Sequence, residues 1–272
     1  FWWKRVYLAS KINKLLYINE KVIFIVHSAY LKNYIPDNKF IATYLYRNAF
    51  KFVTVSKAIK TKLTKKFHFE NVKVIHNAVD EPQMIALSES LLLPNKFILF
   101  FGRIEDEVKN LTLLIDSYKR SVLIDHNIKL VILGDGSDKK KLEKKVQSMS
   151  MSKHIVFLSY IKNPYPTVSK AMCTVLSSHY EGFPTMLVES LSLGTPVISV
   201  NCESGPSEII LDTHNGLLVD NYNPDLLADA MNRFVLDNEL YIHCKNNAKK
   251  SVDKFSMETI SLDWKRILEA TV

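Results

Sequence analysis

The chain has 272 residues, 47% of them hydrophobic, and carries 36 Lys and Arg against 28 Asp and Glu, a net charge of +8. That length is natural for two domains, and the apolar fraction allows a substantial core. The longest apolar runs, 22–26 and 97–101, fall far short of the ~20 residues of a membrane span, and the aromatic, basic start has no secretory-signal pattern.

In chain order, Val6, Leu8, Ile12, Leu15 and Leu16 stand at helical spacing and predict a helix over 4–18. A buried strand over 22–26 follows and ends at His27-Ser28. Residues 50–56 form a second strand, and Ser56 caps a basic helix reaching about Phe67. Residues 71–80 are a strand closing in an Asn/Asp turn, and 82–96, with Pro82 and Pro94, form a linker. From there strands are predicted at 97–101, 129–133, 155–158, 173–178, 197–200 and 216–219. Helices are expected from about Asn110 to Arg120, after Gly134-Asp135-Gly136, after Pro164 and Pro166, from Pro184 to a stop at Gly194, and after Ser204-Gly205-Pro206. Two further helices finish the chain. Such alternation marks an α/β fold with a doubly wound parallel sheet. Ligands bind such sheets at the carboxyl ends of the strands. The loops at 102–109, 134–137, 161–166, 179–185 and 201–206 are therefore expected along one edge.

The charge has two readings. The Lys-rich stretches 57–66 and 139–145 are solvated helix faces, or they attract anionic lipid or anionic substrates. Nucleic acid is not expected, because no recognition motif accompanies the charge. The three cysteines, Cys173, Cys202 and Cys244, form no metal-binding spacing and suit a reduced, cytoplasmic setting.

The densest chemistry lies in the stretch HYEGFPTMLVES, residues 179–190. A helix starting near Pro184 offers free first-turn N–H groups and the positive end of its dipole, a setting for a diphosphate. Glu181, just before it, is expected to accept hydrogen bonds from sugar hydroxyls. Glu189 follows Thr185 by one helical turn and is placed to hold the two hydroxyls of a ribose. Gly182, Phe183 and Pro184 between the glutamates, and the strand before them, favour this over two ordinary surface carboxylates. Arg103, at the end of a buried strand, and Lys109, before a helix, can both reach the same diphosphate. The alternative for them is a loop salt bridge with Glu105, Asp106 or Glu107. Gly134-Asp135-Gly136 is not a dinucleotide fingerprint, since Lys139 stands where a third glycine is needed, and no GxxxxGK[ST] occurs. His27, at the carboxyl end of its strand, is either a plain strand-end residue or part of an active site.

Taken together, Gly102-Arg103 with Lys109, Gly134-Asp135-Gly136, Glu181-Gly182-Phe183-Pro184 through Glu189, Gly194-Thr195-Pro196, Ser204-Gly205-Pro206-Ser207-Glu208 and Asn215-Gly216 resemble the retaining glycosyltransferases of family 4, which have the GT-B fold. The resemblance is firm from about 97 to 220 and extends to either side. It implies a partial N-terminal Rossmann-like domain over 1–92, a complete C-terminal donor-binding domain over 93–254 and a helix over 255–272 crossing back to the first. The implied reaction moves a sugar from a nucleotide-diphosphate donor, UDP before GDP, to an acceptor hydroxyl with retention. Arg103 and Lys109 would stabilise the leaving diphosphate, Glu181 and His27 would face the donor sugar, and Glu189 would hold the ribose. Gly102, Gly182, Phe183, Pro184 and Thr185 would line phosphate and sugar, and Ile161, with its loop neighbours, would meet the base. No metal or other cofactor is expected. The implied acceptor is a glycan or a lipid-linked acceptor in bacterial surface polysaccharide synthesis, capsule or lipopolysaccharide, met at the inner face of an anionic membrane. The residues before the second domain are too few for a full first lobe, so the chain is expected to be part of a longer protein. The rival readings are a non-catalytic nucleotide-sugar-binding module, a sugar-nucleotide epimerase of the same fold, and a basic nucleic-acid binder.

Overall fold

The computed structural model describes residues 21–47, 49–80 and 92–270; the helix expected over 4–18 and most of the 82–96 linker lie outside them. Strands β1 (Ile23–Val26), β2 (Lys51–Thr54) and β3 (Val72–Val74) form a parallel sheet in that order. Between β1 and β2 lies a helix the sequence pattern did not announce, α1 (Lys39–Tyr46), started by Asn38, whose side chain accepts from the Ile41 amide at 3.1 Å. Helix α2 (Lys57–Phe67) starts at Ser56, whose hydroxyl accepts from the Ile59 amide. It buries Ile59, Leu63 and Phe67, one per turn, so its lysines form the outward face.

A second sheet follows. Strands β4 (Phe97–Phe101), β5 (Lys129–Leu133), β6 (Ile155–Leu158), β7 (Thr174–Leu176), β8 (Val197–Asn201) and β9 (Gly216–Asp220) are all parallel, in the order β6-β5-β4-β7-β8-β9. All five residues of β4 are buried. Phe97, Leu99 and Phe101 pack on one face, and Ile98 and Phe100 on the other, as a strand covered on both sides requires. The strand order reverses between β4 and β7, leaving a crevice at the carboxyl ends of those two strands.

The connecting helices are α3 (Asp106–Lys109), α4 (Leu111–Arg120), α5 (Lys139–Ser148), α6 (Tyr165–Lys170), α7 (Thr185–Ser192) and α8 (Pro206–Ile209). The expected charged loop before Asn110 thus contains one short helix, and Asn110 itself caps α4 from the left-handed region. Among the described residues three α-helices, where two were expected, follow the last strand: α9 (Pro224–Leu236), α10 (Asn238–Ala248) and α11 (Met257–Glu269). Asp237 makes the break, since its carboxylate accepts from the Leu240 amide and starts α10 where α9 stops. Ser256 caps α11 in the same way at Thr259. Ile260 and Ile267 of α11 pack with Val53 and Ile75 of the first sheet's surroundings, with Trp264 beside them. The last helix therefore lies on the first sheet, not on the second.

Candidate functional site

Two connected clefts open at the strand-order reversal. The first, about 400 Å³, is lined by Gly102, Arg103, Lys109, Glu181, Phe183, Pro184, Thr185 and Glu189, among others. The second, about 440 Å³, shares Phe101, Gly102, Arg103 and Glu189 with it and runs on to Tyr160, Ile161 and Lys162. Glu189 and the β4 end thus stand at the junction. This position follows from α7: its start places Thr185 at the mouth, and one turn later Glu189 lies below it on the same face. The α7 N-cap is Pro184, which provides no side-chain cap, so the first-turn amides remain at the wall of the first cleft.

The cleft is charged on both signs. Lys109 Nζ donates to Glu181 Oε1 at 2.7 Å, and the Ser178 hydroxyl donates to the same oxygen at 2.7 Å. Both partners of that ion pair are largely shielded from solvent, at 23% and 11% exposure. Arg103 pairs with Glu105 at 3.3 Å and remains 70% exposed, so it is held only loosely and is free to turn toward a ligand. The loop salt bridge weighed for Arg103 therefore exists, alongside its place in the cleft. Burial pushes the Glu189 carboxyl above its ordinary value, with only the Thr185 side chain opposing. That is the shift of a carboxylate whose burial outweighs its one hydrogen bond.

Two residues expected at the site stand differently. Gly182 is in neither cleft lining: a Cβ there would lie 1.8 Å from the His27 carbonyl oxygen, so this glycine lets the β7 loop rest on the end of β1. His27 lines a separate, mostly apolar groove of about 660 Å³ between the first sheet and α11, with its main chain against Gly182. Among the described residues, no group of three or more His, Cys, Asp and Glu side chains is placed to hold a metal ion. No described helix is long and apolar enough to cross a membrane.

A sequence model of the family described as glycosyl transferases group 1 matches residues 87–251. The chain belongs to that family. Among curated proteins it is similar to an N-acetylgalactosamine-N,N'-diacetylbacillosaminyl-diphospho-undecaprenol 4-alpha-N-acetylgalactosaminyltransferase of Campylobacter jejuni. The two are 31% identical over 239 residues, covering 86% of this chain and 64% of that protein. Among solved structures it is similar to TarM, with a TM-score of 0.77 and 24% identity over 92% of this chain and 50% of that one. It is also similar to Anabaena Alr3699/HepE in complex with UDP, with a TM-score of 0.83 and 18% identity over 98% of this chain and 76% of that one. The chain thus spans roughly half to three quarters of these relatives. The α/β fold is of the GT-B type.

Several contacts that support these clefts were not part of the sequence expectations. Asp135 accepts from the Tyr160 amide and from Lys139, each at 2.8 Å, and so ties down the Tyr160–Lys162 loop. Those two partners hold its carboxyl below the ordinary value, Lys139 most. The Ser204 hydroxyl donates to the Gly182 carbonyl and meets Ser56, steadying the glutamate-bearing loop from behind. Asp135 and Ser204 stood in quoted motifs without these contacts being foreseen; Ser178 carried no signal of its own.

Proposed function

We propose that the chain is the donor-binding part of a retaining, family 4-type hexosyltransferase that takes its sugar from a UDP-sugar. The observation that carries this reading is the placing of Glu189 at the junction of the two clefts. A nucleoside diphosphate laid along them puts its base against the Tyr160–Lys162 loop and its ribose hydroxyls on Glu189. The diphosphate then falls between Arg103, Lys109 and the first-turn amides of α7. Charge develops on the diphosphate as the sugar leaves, and these cations and dipoles stabilise it; the reading assigns that work to them rather than to a metal. Glu181, fixed through one oxygen by Lys109 and Ser178, offers its other oxygen to a sugar hydroxyl. The part of His27 in facing the donor sugar rests on the resemblance alone, since its side chain lines the neighbouring groove. UDP is favoured by the bound nucleotide named for the HepE structure, and a lipid-linked or glycan acceptor in surface polysaccharide synthesis by the name of the Campylobacter relative. Association with the inner face of an anionic membrane is supported by α1, which exposes Phe40 and Tyr44 with Arg47 stacked on Tyr44 at 5.0 Å. Pelleting with anionic vesicles at low salt checks it, and a chain that stays in the supernatant sinks it.

The deciding experiment is calorimetric titration with UDP, GDP and ADP. UDP binds saturably and more tightly than the other two, and Glu189→Gln and Lys109→Ala each weaken it about tenfold, some 1.4 kcal/mol. Absence of nucleotide binding by the folded chain would overturn the reading.

A further inference from the structure

Another cleft, of about 350 Å³, opens at the ends of β8 and β9, next to the two proposed to hold the donor. Neighbouring residues of the β7 loop look into different spaces: Glu181 lines the first cleft, Tyr180 this one. Its walls are aromatic. Tyr30, in the loop after β1, stacks on Tyr180 with ring centroids 6.2 Å apart and planes at 29°. His179 stacks on Tyr222 at 5.4 Å and 28°. Tyr30 and Tyr222 are 48% and 65% exposed, so their rings are presented to solvent rather than used up in the core. Tyr222 sits at φ 66°, in the left-handed region that bulky residues rarely adopt, and the Asn221 side chain accepts its amide at 2.8 Å. The fold thus spends backbone strain to hold that ring at the cleft.

The charges inside cancel. Lys62 binds Glu203 at 2.6 Å and the Ala29 carbonyl at 3.2 Å, so no spare cation awaits a phosphate or carboxylate. Beside that ion pair the lining offers phenol hydroxyls, the Asn201 and Asn221 amides and the His179 imidazole, groups that both donate and accept hydrogen bonds. A pyranose is the chemical complement: one apolar C–H face to lay on a ring, and a rim of hydroxyls that donate and accept.

We propose that this cleft is a saccharide site, separate from the donor clefts, that seats one sugar unit of the acceptor glycan. The proposal rests on the transferase reading above and adds a binding surface to it. Tyr30 and Lys62 come from the first sheet's loops and helix, and Tyr180, Glu203 and Tyr222 from the second, so a bound sugar bridges the two lobes. It does so one residue from Glu181, which directs the rest of the glycan toward the donor.

The test is saturation-transfer NMR with calorimetry on the 272-residue chain, using methyl N-acetyl-α-galactosaminide and the corresponding α-1,4-linked disaccharide, each with and without saturating UDP. Saturable binding is expected, with transfer strongest to ring C–H protons, and with the disaccharide bound more tightly than the monosaccharide. Tyr222→Ala and Tyr30→Ala are each expected to weaken it at least fivefold while UDP affinity stays within twofold. Displacement of the sugar by UDP, indifference to both substitutions, or no saccharide binding by the folded chain would each overturn the site. Sugar binding that is lost in Tyr222→Ala in a chain that ignores UDP would instead leave this site standing and remove the donor reading.

Discussion

Glu189 carries a conflict between folding and binding. Its carboxyl is raised above its ordinary value of 4.5 by burial, and the Thr185 side chain offsets only part of that. The native state therefore holds a proton on Glu189 more tightly than the unfolded chain does. Ionisation costs stability, and that cost is absent below the unfolded value, grows as pH rises through the raised one, and is complete above it. Glu189→Gln removes the cost. In thermal melts of the ligand-free chain the variant is expected to gain about 2 °C at pH 7, a gain that vanishes at pH 4, while its UDP affinity falls. A variant less stable than the parent at pH 7 would show that the carboxylate has a partner that stabilises its charge. The two glutamates were legible in the sequence because strand, Gly-Phe-Pro and helix start fix where each must stand. The Lys109–Glu181 pair was not legible, because its partners are 72 positions apart and meet only once β4 and β7 lie side by side.

Elements set the shape of the cleft end proposed to hold the base. The loop after β5 packs its backbone against the loop after β4: a Cβ on Gly134 would lie 1.9 Å from the Gly102 oxygen, and one on Gly136 would lie 2.2 Å from that of Ile104. Those glycines answer a steric demand, since any side chain there would meet the neighbouring loop's backbone. Between them, Asp135 reaches across to the Tyr160 amide and fixes the loop after β6. Asp135→Ala is therefore expected to loosen only the base end. UDP affinity should fall about tenfold while pyrophosphate affinity, which the proposed function assigns to Arg103, Lys109 and α7, stays the same. Equal losses for both ligands would place the base elsewhere. Strands β4, β5 and β6 fall where their apolar runs predict, since each run is bounded by polar or turn residues. Helix α1 escaped prediction because its run, Lys39–Tyr46, keeps Phe40 and Tyr44 outside while burying Ala42 and Leu45, so apolarity does not mark its inner face.

Across the whole molecule, the two lobes meet at Glu208 of α8. Its carboxylate accepts from the Lys57 and Ala58 amides at the start of α2 and pairs with His76 at 3.0 Å, while Lys254 approaches its carbonyl. The His76 ring in turn sits against Phe183 and Phe255. One carboxylate of the second lobe thus caps a helix of the first, beside the loop that carries Glu181. This clamp was not readable beforehand, because Glu208 and its partners in the first lobe lie 132 to 151 positions apart. Burial alone would raise the Glu208 carboxyl, but His76 and the two amides outweigh it and hold it below its ordinary value of 4.5. The sign is opposite to that of Glu189: the clamp stabilises the fold above the unfolded value and fades as pH falls through the lowered one. Glu208→Gln keeps the shape and removes the charge. Its melting temperature is expected to fall by several degrees at pH 7, as for loss of charge-assisted hydrogen bonds worth about 1–3 kcal/mol. The gap between variant and parent should close below pH 4. A gap that persists unchanged into acid would mean that shape, and not charge, holds the lobes together at this point.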